Sequence, residues 1–220
     1  EPFSIPSGSM YPNLKVGDYL FVSKYSYGFS KHSLPFSIPL IPERIFSKEP
    51  KRGEIVVFKT PEDNRTDYIK RVIGLPGDLL EMKDNLLFIN EQQVKIKKIN
   101  TEKYKSFNVE KVSEILPSDL TYEVYEFEKT FEGLDTNNFK KIRIPDDNFF
   151  VLGDNRDNSQ DSRFIGLIPR NNLVGRAEVV LVSFDTDIGS FIKFWTWYPA
   201  LRKDRLFVSL LPNKKNDWLF

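Results

Sequence analysis

Cysteine is absent from the 220-residue sequence, and histidine occurs once, as His32. The lack of cysteine excludes a disulfide framework, a thiolate nucleophile and a zinc site with cysteine ligands. A Ser-His-Asp triad would depend on His32, which lies in Lys31-His32-Ser33 beside a proline-rich run and has no evident partner in the sequence. We interpret it as a surface histidine, so a serine nucleophile in this chain would need another base.

The sequence also lacks long hydrophobic runs and an excess of one charge. No run of about 18 apolar residues occurs, so we expect no segment of this sequence to span a bilayer. Lys+Arg 32 against Asp+Glu 31 argue against nucleic acid as the main partner, because such proteins usually show a basic excess. With 40% hydrophobic and 29% charged residues, the composition is typical of a folded protein of one or two domains.

The residues that are present predict a mainly β protein with little helix. Short β-branched and aromatic runs, bounded by glycine, proline, asparagine and aspartate, are typical of strands and turns. The predicted strands of the core are residues 16–25, 54–59, 68–73, 149–154 and 177–182. Residues 29–53 contain four prolines and predict an extended loop over the core. A longer helix is indicated only at residues 188–197.

Residues 79–146 differ from the rest of the sequence in their pattern of short strands and polar stretches, which predicts a second domain. Residues 87–94 predict a hairpin around a polar turn, residues 122–128 another strand, and residues 95–112 a lysine-rich polar stretch between them. We therefore predict an antiparallel β-sheet core from residues 1–78 and 147–220. Residues 79–146 would form a smaller β-domain inserted into it.

Three segments carry the candidate chemistry, and the first is residues 5–12, Ile-Pro-Ser-Gly-Ser-Met-Tyr-Pro. Gly8 lets the backbone turn where a Cβ would clash, and the prolines fix φ on either side. Such a segment can hold a serine hydroxyl in one orientation, as a nucleophile needs. The alternative is an ordinary loop, since serine and glycine are common turn residues.

The second segment is the predicted strand at residues 68–72, in which Lys70 shares a face with Tyr68 and Val72. On a buried face the lysine amine would be desolvated, which lowers its pKa. A neutral amine can take a proton from a serine hydroxyl, so Lys70 is a candidate general base. The alternative is a lysine whose amine reaches water at the strand edge.

The third segment, residues 153–163, reads Gly-Asp-Asn-Arg-Asp-Asn-Ser-Gln-Asp-Ser-Arg. A calcium loop is one interpretation because oxygen ligands abound, but the spacing and the missing terminal glutamate do not fit an EF-hand. Alternating arginines and aspartates are typical of a fixed hydrogen-bond network around a site.

In this order the three segments, residues 6–10, 67–78 and 153–163, resemble the ordered sequence boxes of bacterial type I signal peptidases. The resemblance implies a membrane-associated endopeptidase that removes signal peptides from exported preproteins with a Ser-Lys dyad, a serine nucleophile paired with a lysine base. It implies that Ser9 is the nucleophile and Lys70 the general base. The Ser7 hydroxyl and the Ser9 backbone N–H would form the oxyanion hole.

The same resemblance assigns supporting and substrate-binding residues, and no cofactor or metal. Ser159 would hydrogen-bond the Lys70 amine, Asp154 would pair with Arg71, and Asp161 with Arg163 would tie the third segment together. A signal peptide ends in a small-x-small pattern, and shallow pockets would select it by size. The residues expected to shape those pockets are Phe3, Ile5, Leu20, Val57, Asp67 and Ile69. The substrate would add a strand to an exposed sheet edge.

Family members carry membrane-spanning segments just before the serine box, so we expect an anchor to be absent from this chain, which begins at Glu1. The expected location is the bacterial inner membrane with the catalytic domain on the outer, periplasmic face. Phe3 and the aromatic tail, with Trp195, Trp197 and Trp218, would meet the lipid surface; core packing is the alternative.

Other functional classes remain open on the residues alone. A self-cleaving Ser-Lys repressor-type protease shares the dyad, but neither an internal cleavage segment nor a DNA-binding domain is evident. A non-catalytic β-domain that binds exported chains would keep the pockets and the sheet edge without needing a neutral Lys70. A metal-binding module is the weakest alternative, given one histidine and no cysteine.

Overall fold

Antiparallel β-sheet accounts for most of the regular structure. The computed structural model describes residues 1–30, 44–127, 138–186, 188 and 197–212. The strands in these ranges are β1 (Pro2–Ser4), β2 (Asp18–Ser23), β3 (Ile55–Lys59), β4 (Asp67–Gly74), β5 (Leu79–Lys83), β6 (Leu86–Ile89), β7 (Gln92–Gln93), β8 (Lys95–Tyr104), β9 (Phe107–Ile115), β10 (Thr121–Phe127), β11 (Phe139–Arg143), β12 (Asn148–Leu152), β13 (Ile168–Pro169), β14 (Leu173–Ser183) and β15 (Val208–Ser209). Two one-turn α-helices, α1 (Ser162–Ile165) and α2 (Trp197–Ala200), and three single-turn 3-10 helices, Arg156–Asn158, Arg170–Asn172 and Lys203–Arg205, complete the described elements. The prediction of a mainly antiparallel β fold with little helix is confirmed.

The largest sheet carries the strands that surround the three sequence segments. Its order is β1-β2-β14-β3-β4-β12-β13, and β15 also pairs with β14. Alternation explains the burial in β2, where Leu20 and Val22 are fully buried while Phe21 between them is 44% exposed. One face of this sheet packs into a cluster that contains Ile5, Leu20, Val57 and Val180.

Two smaller sheets are formed wholly by residues 79–146. One has the order β10-β9-β8 and the other the order β11-β5-β6-β7. Their apolar side chains are not packed separately from the large sheet: Leu80 and Val124 share a cluster with Ile73 of β4 and with Phe150 and Leu152 of β12. The hydrophobic core therefore continues from the large sheet into residues 79–146.

Most predicted strands coincide with observed ones, and one pair of strands was not predicted. Residues 95–112, predicted as a polar stretch, form β8 and most of β9, which pair from Lys95↔Ile115 to Tyr104↔Phe107. Nearly all β8 side chains are exposed, so the strand has no apolar alternation to reveal it. His32, most of the proline-rich loop, and most of the helix predicted at residues 188–197 lie outside the described residues.

The serine segment is bonded to the large sheet at its start and closes at its end with a buried turn. The Ile5 N–H donates to the Asp18 carbonyl over 2.9 Å, and the Leu14 N–H donates to the Met10 carbonyl over 2.9 Å. Met10 and Leu14 are fully buried in the same cluster as Ile5. Within the described ranges, no helix is long and apolar enough to cross a membrane.

Candidate active site

Ser9 and Lys70 meet in the interior of the protein, 61 positions apart in sequence. The Lys70 Nζ lies 2.7 Å from the Ser9 Oγ and donates a hydrogen bond to it. A second bond, 3.0 Å long, runs from Nζ to the Ile69 carbonyl. The two side chains are almost out of contact with water, since Ser9 is 8% and Lys70 4% exposed. When the amine is neutral, the same contact lets the serine O–H donate to the nitrogen lone pair.

Burial lowers the pKa of Lys70 to about 8, and the nearby carboxylates of Asp161 and Asp154 partly offset the effect. Desolvation dominates because the ammonium form loses its hydration while no carboxylate forms an ion pair with it among the described residues. The Tyr68 ring lies on one side, with its centroid 5.4 Å from Nζ. At pH 7 roughly one lysine in ten would then be neutral and able to act as a base.

The third segment holds the serine segment from behind. The Asn155 N–H donates to the Ser9 carbonyl and its Nδ2 donates to the Gly8 carbonyl, each over 3.0 Å. A Cβ on Gly153 would lie 2.6 Å from the Ser9 carbonyl oxygen, so only glycine allows this approach. The sequence analysis singled out the segment but assigned no role to Asn155, although its density of amide side chains was the signal.

Two predicted contacts with the reacting pair differ in outcome. The Ser7 Oγ lies 3.4 Å from the Ser9 Oγ, beside the nucleophile as an oxyanion donor would. The predicted hydrogen bond from Ser159 to the Lys70 amine is not formed, because the buried Ser159 Oγ has no hydrogen-bond partner among the described residues. The Ser159 side chain instead packs against Gly153, where an added Cβ would come within 2.1 Å of its Oγ.

A bidentate ion pair joins Arg71, the residue after Lys70, to Asp154 of the third segment. The Arg71 Nε and Nη2 donate to the two Asp154 carboxylate oxygens, each over 2.7 Å, and the Arg71 Nη1 donates to the Gly53 carbonyl over 2.8 Å. Asp154 also accepts a bond of 2.8 Å from the Asn13 Nδ2, four residues after Ser9. This buried pair therefore couples β4, the serine segment and the third segment.

Asp161 and Arg163 form the second ion pair of the third segment. The Arg163 Nε donates to one Asp161 oxygen over 2.9 Å, while the Gly153 N–H donates to the other over 3.0 Å. Asp161 is also the N-cap of α1, since its side chain accepts from the Arg163 N–H. The carboxylate thereby closes the loop from Gly153 to α1 into one hydrogen-bonded unit.

A groove of about 610 Å³ opens onto Ser9 and Lys70. Of the residues predicted to shape the pockets, Asp67 and Ile69 line this groove. Phe3, Ile5, Leu20 and Val57 are not in its lining. They lie in the apolar cluster against which Ile69 packs. The lining residues that the sequence analysis did not identify are Val16, Thr66, Tyr104, Lys105, Asn158 and Gln160.

One strand that borders the groove has an unpaired side. The outer half of β4, Asp67 to Lys70, pairs with β3 on one flank, from Lys59↔Asp67 to Val56↔Lys70. On the other flank, β12 pairs only with the inner half, starting at Leu152↔Arg71. Within the described part of the chain, the outer half of β4 therefore offers a backbone edge beside Lys70 to which an extended peptide can add.

Comparison with known proteins relates the chain to one family. The family model described as signal peptidase, peptidase S26, matches residues 1–182. The signal peptidase I proteins of Rickettsia typhi and Rickettsia felis are each 37% identical over 96% of this chain and 85% of their own length. A solved signal peptidase I from Enterococcus faecalis V583 is 26% identical and covers 59% of this chain and 97% of that chain, with a TM-score of 0.35.

The family match and these identities define the chain as a serine endopeptidase. The chain belongs to the S26 signal peptidase family, whose members cleave signal peptides. The resemblance seen in the three sequence segments is thereby confirmed.

Proposed function

We propose that this protein cleaves preproteins after a small-x-small sequence, with Ser9 as nucleophile and Lys70 as general base. The observation that carries the proposal is the 2.7 Å contact between the Lys70 Nζ and the Ser9 Oγ inside a groove open to substrate. A lysine whose pKa is lowered to about 8 by burial can accept a proton near neutral pH, as a base must.

The chemistry follows from these two groups. The Ser9 Oγ attacks the scissile carbonyl carbon while its proton moves to the neutral Lys70 Nζ. The resulting oxyanion accepts hydrogen bonds from the Ser7 hydroxyl and the Ser9 backbone N–H. As the C–N bond breaks, the Lys70 ammonium returns the proton to the leaving amine. A water molecule then attacks the acyl-enzyme ester and gives its proton to Lys70. As the ester bond breaks, the Lys70 ammonium returns that proton to the Ser9 Oγ, which restores the serine and the neutral amine.

Substrate selection would rest on the groove and the cluster beneath it. An extended signal peptide adds to the free flank of β4 at Asp67 and Ile69, so alternate side chains point into the protein. Ile69 packs on Ile5, Leu20 and Val57, which are at most 4% exposed. A closely packed cluster of this kind is hardly compressible. A bulky side chain at the first or third position before the cut would therefore clash with these residues.

The ion pairs would act as positioning groups. Arg71 with Asp154 and Asp161 with Arg163 hold the segment that bonds to the Ser9 carbonyl, without touching the reacting atoms. We assign Ser159 the same role, because its unpartnered hydroxyl is buried beside Gly153.

The site of action that we propose is the outer, periplasmic face of the bacterial inner membrane. Membership of the family supports this location, as do Tyr198 and Phe207 near the C-terminus, which are each 73% exposed. Trp195 and Trp218 and the side chain of Trp197 lie outside the described residues. Cosedimentation with lipid vesicles should fall for the double variant Tyr198→Ser/Phe207→Ser; unchanged binding would contradict a role for these side chains.

The experiment for the catalytic proposal is cleavage of a signal-bearing precursor in detergent, with the cut site read by mass spectrometry. The native chain should cut after small-x-small, and Ser9→Ala and Lys70→Ala should lose turnover while keeping the native thermal transition. Precursors with Phe in place of the two small residues should resist. Cutting that persists in Ser9→Ala would exclude this nucleophile. Tight precursor binding without cutting would favour the non-catalytic binding domain.

A further inference from the structure

The tip of the β8–β9 hairpin forms one wall of the groove. Tyr104 and Lys105 line the groove together with Ser9 and Lys70. Tyr104 packs with Tyr11, Tyr125 and other aromatic residues in a separate cluster. A Cβ on Gly8 would come within 2.0 Å of the Tyr104 hydroxyl oxygen, so the hairpin tip abuts the serine segment directly.

This wall of the groove is polar, in contrast to the floor below Ile69. The Asn158 Nδ2 donates to the Tyr104 hydroxyl over 3.3 Å, and Asn158 and Gln160 both line the groove. The small uncharged side chains before the cut are compatible with an apolar surface. The residues after the cut are the first residues of a mature, water-soluble protein, and they are compatible with a polar wall. The residues after the scissile bond therefore fit the hairpin side.

Lys105 carries a positive charge on this wall, and the other wall residues, Tyr104, Asn158 and Gln160, carry no negative charge. Its side chain is exposed, and within the described part of the chain it has no carboxylate partner. Its Nζ lies 5.5 Å from the centroid of the Tyr104 ring, a contact that favours the ammonium at the end of the groove. The other charges of the lining are engaged: Asp67 pairs with Lys59 over 2.8 Å, and Lys70 bonds to Ser9.

We propose that Tyr104 and Lys105 form the subsite for the first two residues after the cut, and that Lys105 makes this subsite favour acidic over basic side chains. The inference rests on the proposed function, because it takes Ser9 as the point of cleavage. Lys105 is a specificity-determining residue in this scheme and takes no part in the proton transfers.

The test uses one small-x-small peptide with Glu, Gln or Lys at both positions after the cut. The native protein should show a kcat/KM about threefold or more higher for the Glu than for the Lys peptide, in the range of an exposed ion pair. Lys105→Glu should reverse the order, and Lys105→Ala should bring the two peptides within about twofold. The preference should shrink as salt is raised from about 0.05 M to about 0.5 M.

Lys103→Glu is the matched control, because it makes the same charge change two residues away, at an exposed position outside the groove lining. It should keep the native order of the peptides. An equal shift in Lys103→Glu and Lys105→Glu would overturn the inference in favour of an effect of net charge. No shift in Lys105→Glu would overturn it as well.

Binding of the labelled peptides to Ser9→Ala and to Ser9→Ala/Lys105→Glu, followed by fluorescence anisotropy, gives the ranking without turnover. A ranking that reverses with Lys105→Glu would support the subsite even if the cleavage assay contradicted Ser9 as nucleophile. Cleavage that depends on Ser9, together with a ranking indifferent to Lys105, would leave the proposed function intact and overturn the subsite.

Discussion

At the scale of the residue, the surroundings of the Lys70 amine define the pH range in which the proposed base is neutral. Lys70 has little water around it, and the carboxylates that raise its pKa, Asp161 and Asp154, are already engaged with Arg163 and Arg71. The balance holds its pKa near 8, far below that of an exposed lysine. In the proposed mechanism, the removal of solvent from a lysine therefore supplies the base without a histidine.

This balance predicts the pH dependence of cleavage. Only the neutral amine accepts the Ser9 proton, so kcat/KM should rise with pH through a limb with an apparent pKa of about 8 and level off about one pH unit above it. Initial rates on one precursor between about pH 6 and pH 10 measure the limb. Asp154→Asn, which removes a charge that raises the Lys70 pKa, should move the limb to lower pH. A rate independent of pH across the range would contradict Lys70 as the base.

A second residue-scale prediction concerns Gly153. In Gly153→Ala the new Cβ would meet the Ser9 carbonyl oxygen at 2.6 Å and the Ser159 Oγ at 2.1 Å. Since the backbone must shift by about an ångström at the nucleophile, kcat/KM should fall by about 10²-fold or more. The control is Gly77→Ala, where φ is +85° and a Cβ meets nothing within 4 Å. It should lower stability by about 1–2 kcal/mol and leave kcat/KM unchanged; an equal loss of kcat/KM in both variants would contradict the steric argument.

The contact between Ser9 and Lys70 could be predicted because the two residues stand in short segments with distinctive neighbours. Ser9 lies between prolines, and Lys70 lies between an aromatic and a β-branched residue of a strand. The hydrogen bonds of Asn155 and the unpartnered Ser159 hydroxyl depend on how the third segment closes over the first. That closure involves residues about 150 positions apart, and no local pattern reports it.

At the scale of the element, the β8–β9 hairpin could not be predicted from the periodicity of apolar residues. Its strands are long, but most side chains of β8 are exposed. The strand therefore lacks the alternation of apolar and polar residues by which a half-buried strand is predicted. Strand β8 is stabilised instead by backbone pairing with β9, which pairs in turn with β10, and by the aromatic contacts of Tyr104. The sequence analysis consequently missed both the strand and the two groove residues at its tip.

A buried ion pair ties the same small sheet to the third segment. Glu114 of β9 is 1% exposed and bonds to Arg156, which is 3% exposed, and to the Tyr122 hydroxyl. The Tyr122 ring in turn lies under the Arg71 guanidinium, 4.3 Å from its centroid. Burial and the neighbouring carboxylate raise the pKa of the Tyr122 hydroxyl well above its usual value, so it stays a hydrogen-bond donor at all physiological pH values.

Removing one partner of that pair predicts a large loss of stability. Glu114→Ala leaves the Arg156 guanidinium buried without its carboxylate, so the free energy of unfolding should fall by about 3–5 kcal/mol. Urea unfolding at pH 7 measures the loss. The control lies on the same strand: Glu110 pairs with the exposed Lys98, and Glu110→Ala should cost about 1 kcal/mol or less. Similar losses in the two variants would contradict the importance of the buried pair.

At the scale of the whole molecule, the site lies where the large sheet meets residues 79–146. The reacting pair comes from the large sheet and the segment before β2, while Tyr104 and Lys105 come from the β8–β9 hairpin. Close contacts join the two parts: a Cβ on Gly74 would lie 2.6 Å from a Leu80 methyl carbon, and one on Gly53 would lie 2.3 Å from a Leu120 methyl carbon. We propose that residues 79–146 are an inserted unit that completes the core as well as the groove.

Excision of residues 79–146, with Asp78 joined to Asp147 by a short Gly-Ser linker, tests this proposal. The deletion would expose Ile73, Phe150 and Leu152, which are at most 2% exposed in the intact chain. At about 1.5–3 kcal/mol for each side chain, the loss is about 5 kcal/mol or more, comparable with the whole stability of a domain. The excised protein should therefore lack a cooperative thermal transition and bind a hydrophobic dye.

The matched deletion removes only the outer part of the β8–β9 hairpin, residues 99–111, and joins the paired residues Lys98 and Val112 with Asn-Gly. It leaves the shared cluster of Ile73, Phe150 and Leu152 covered, so a cooperative transition should persist while the peptide preference assigned to Lys105 disappears. A fully excised protein that melts cooperatively at the native temperature would instead show that residues 79–146 fold apart from the core. The shared cluster would then contribute little, and the insertion would serve the groove alone.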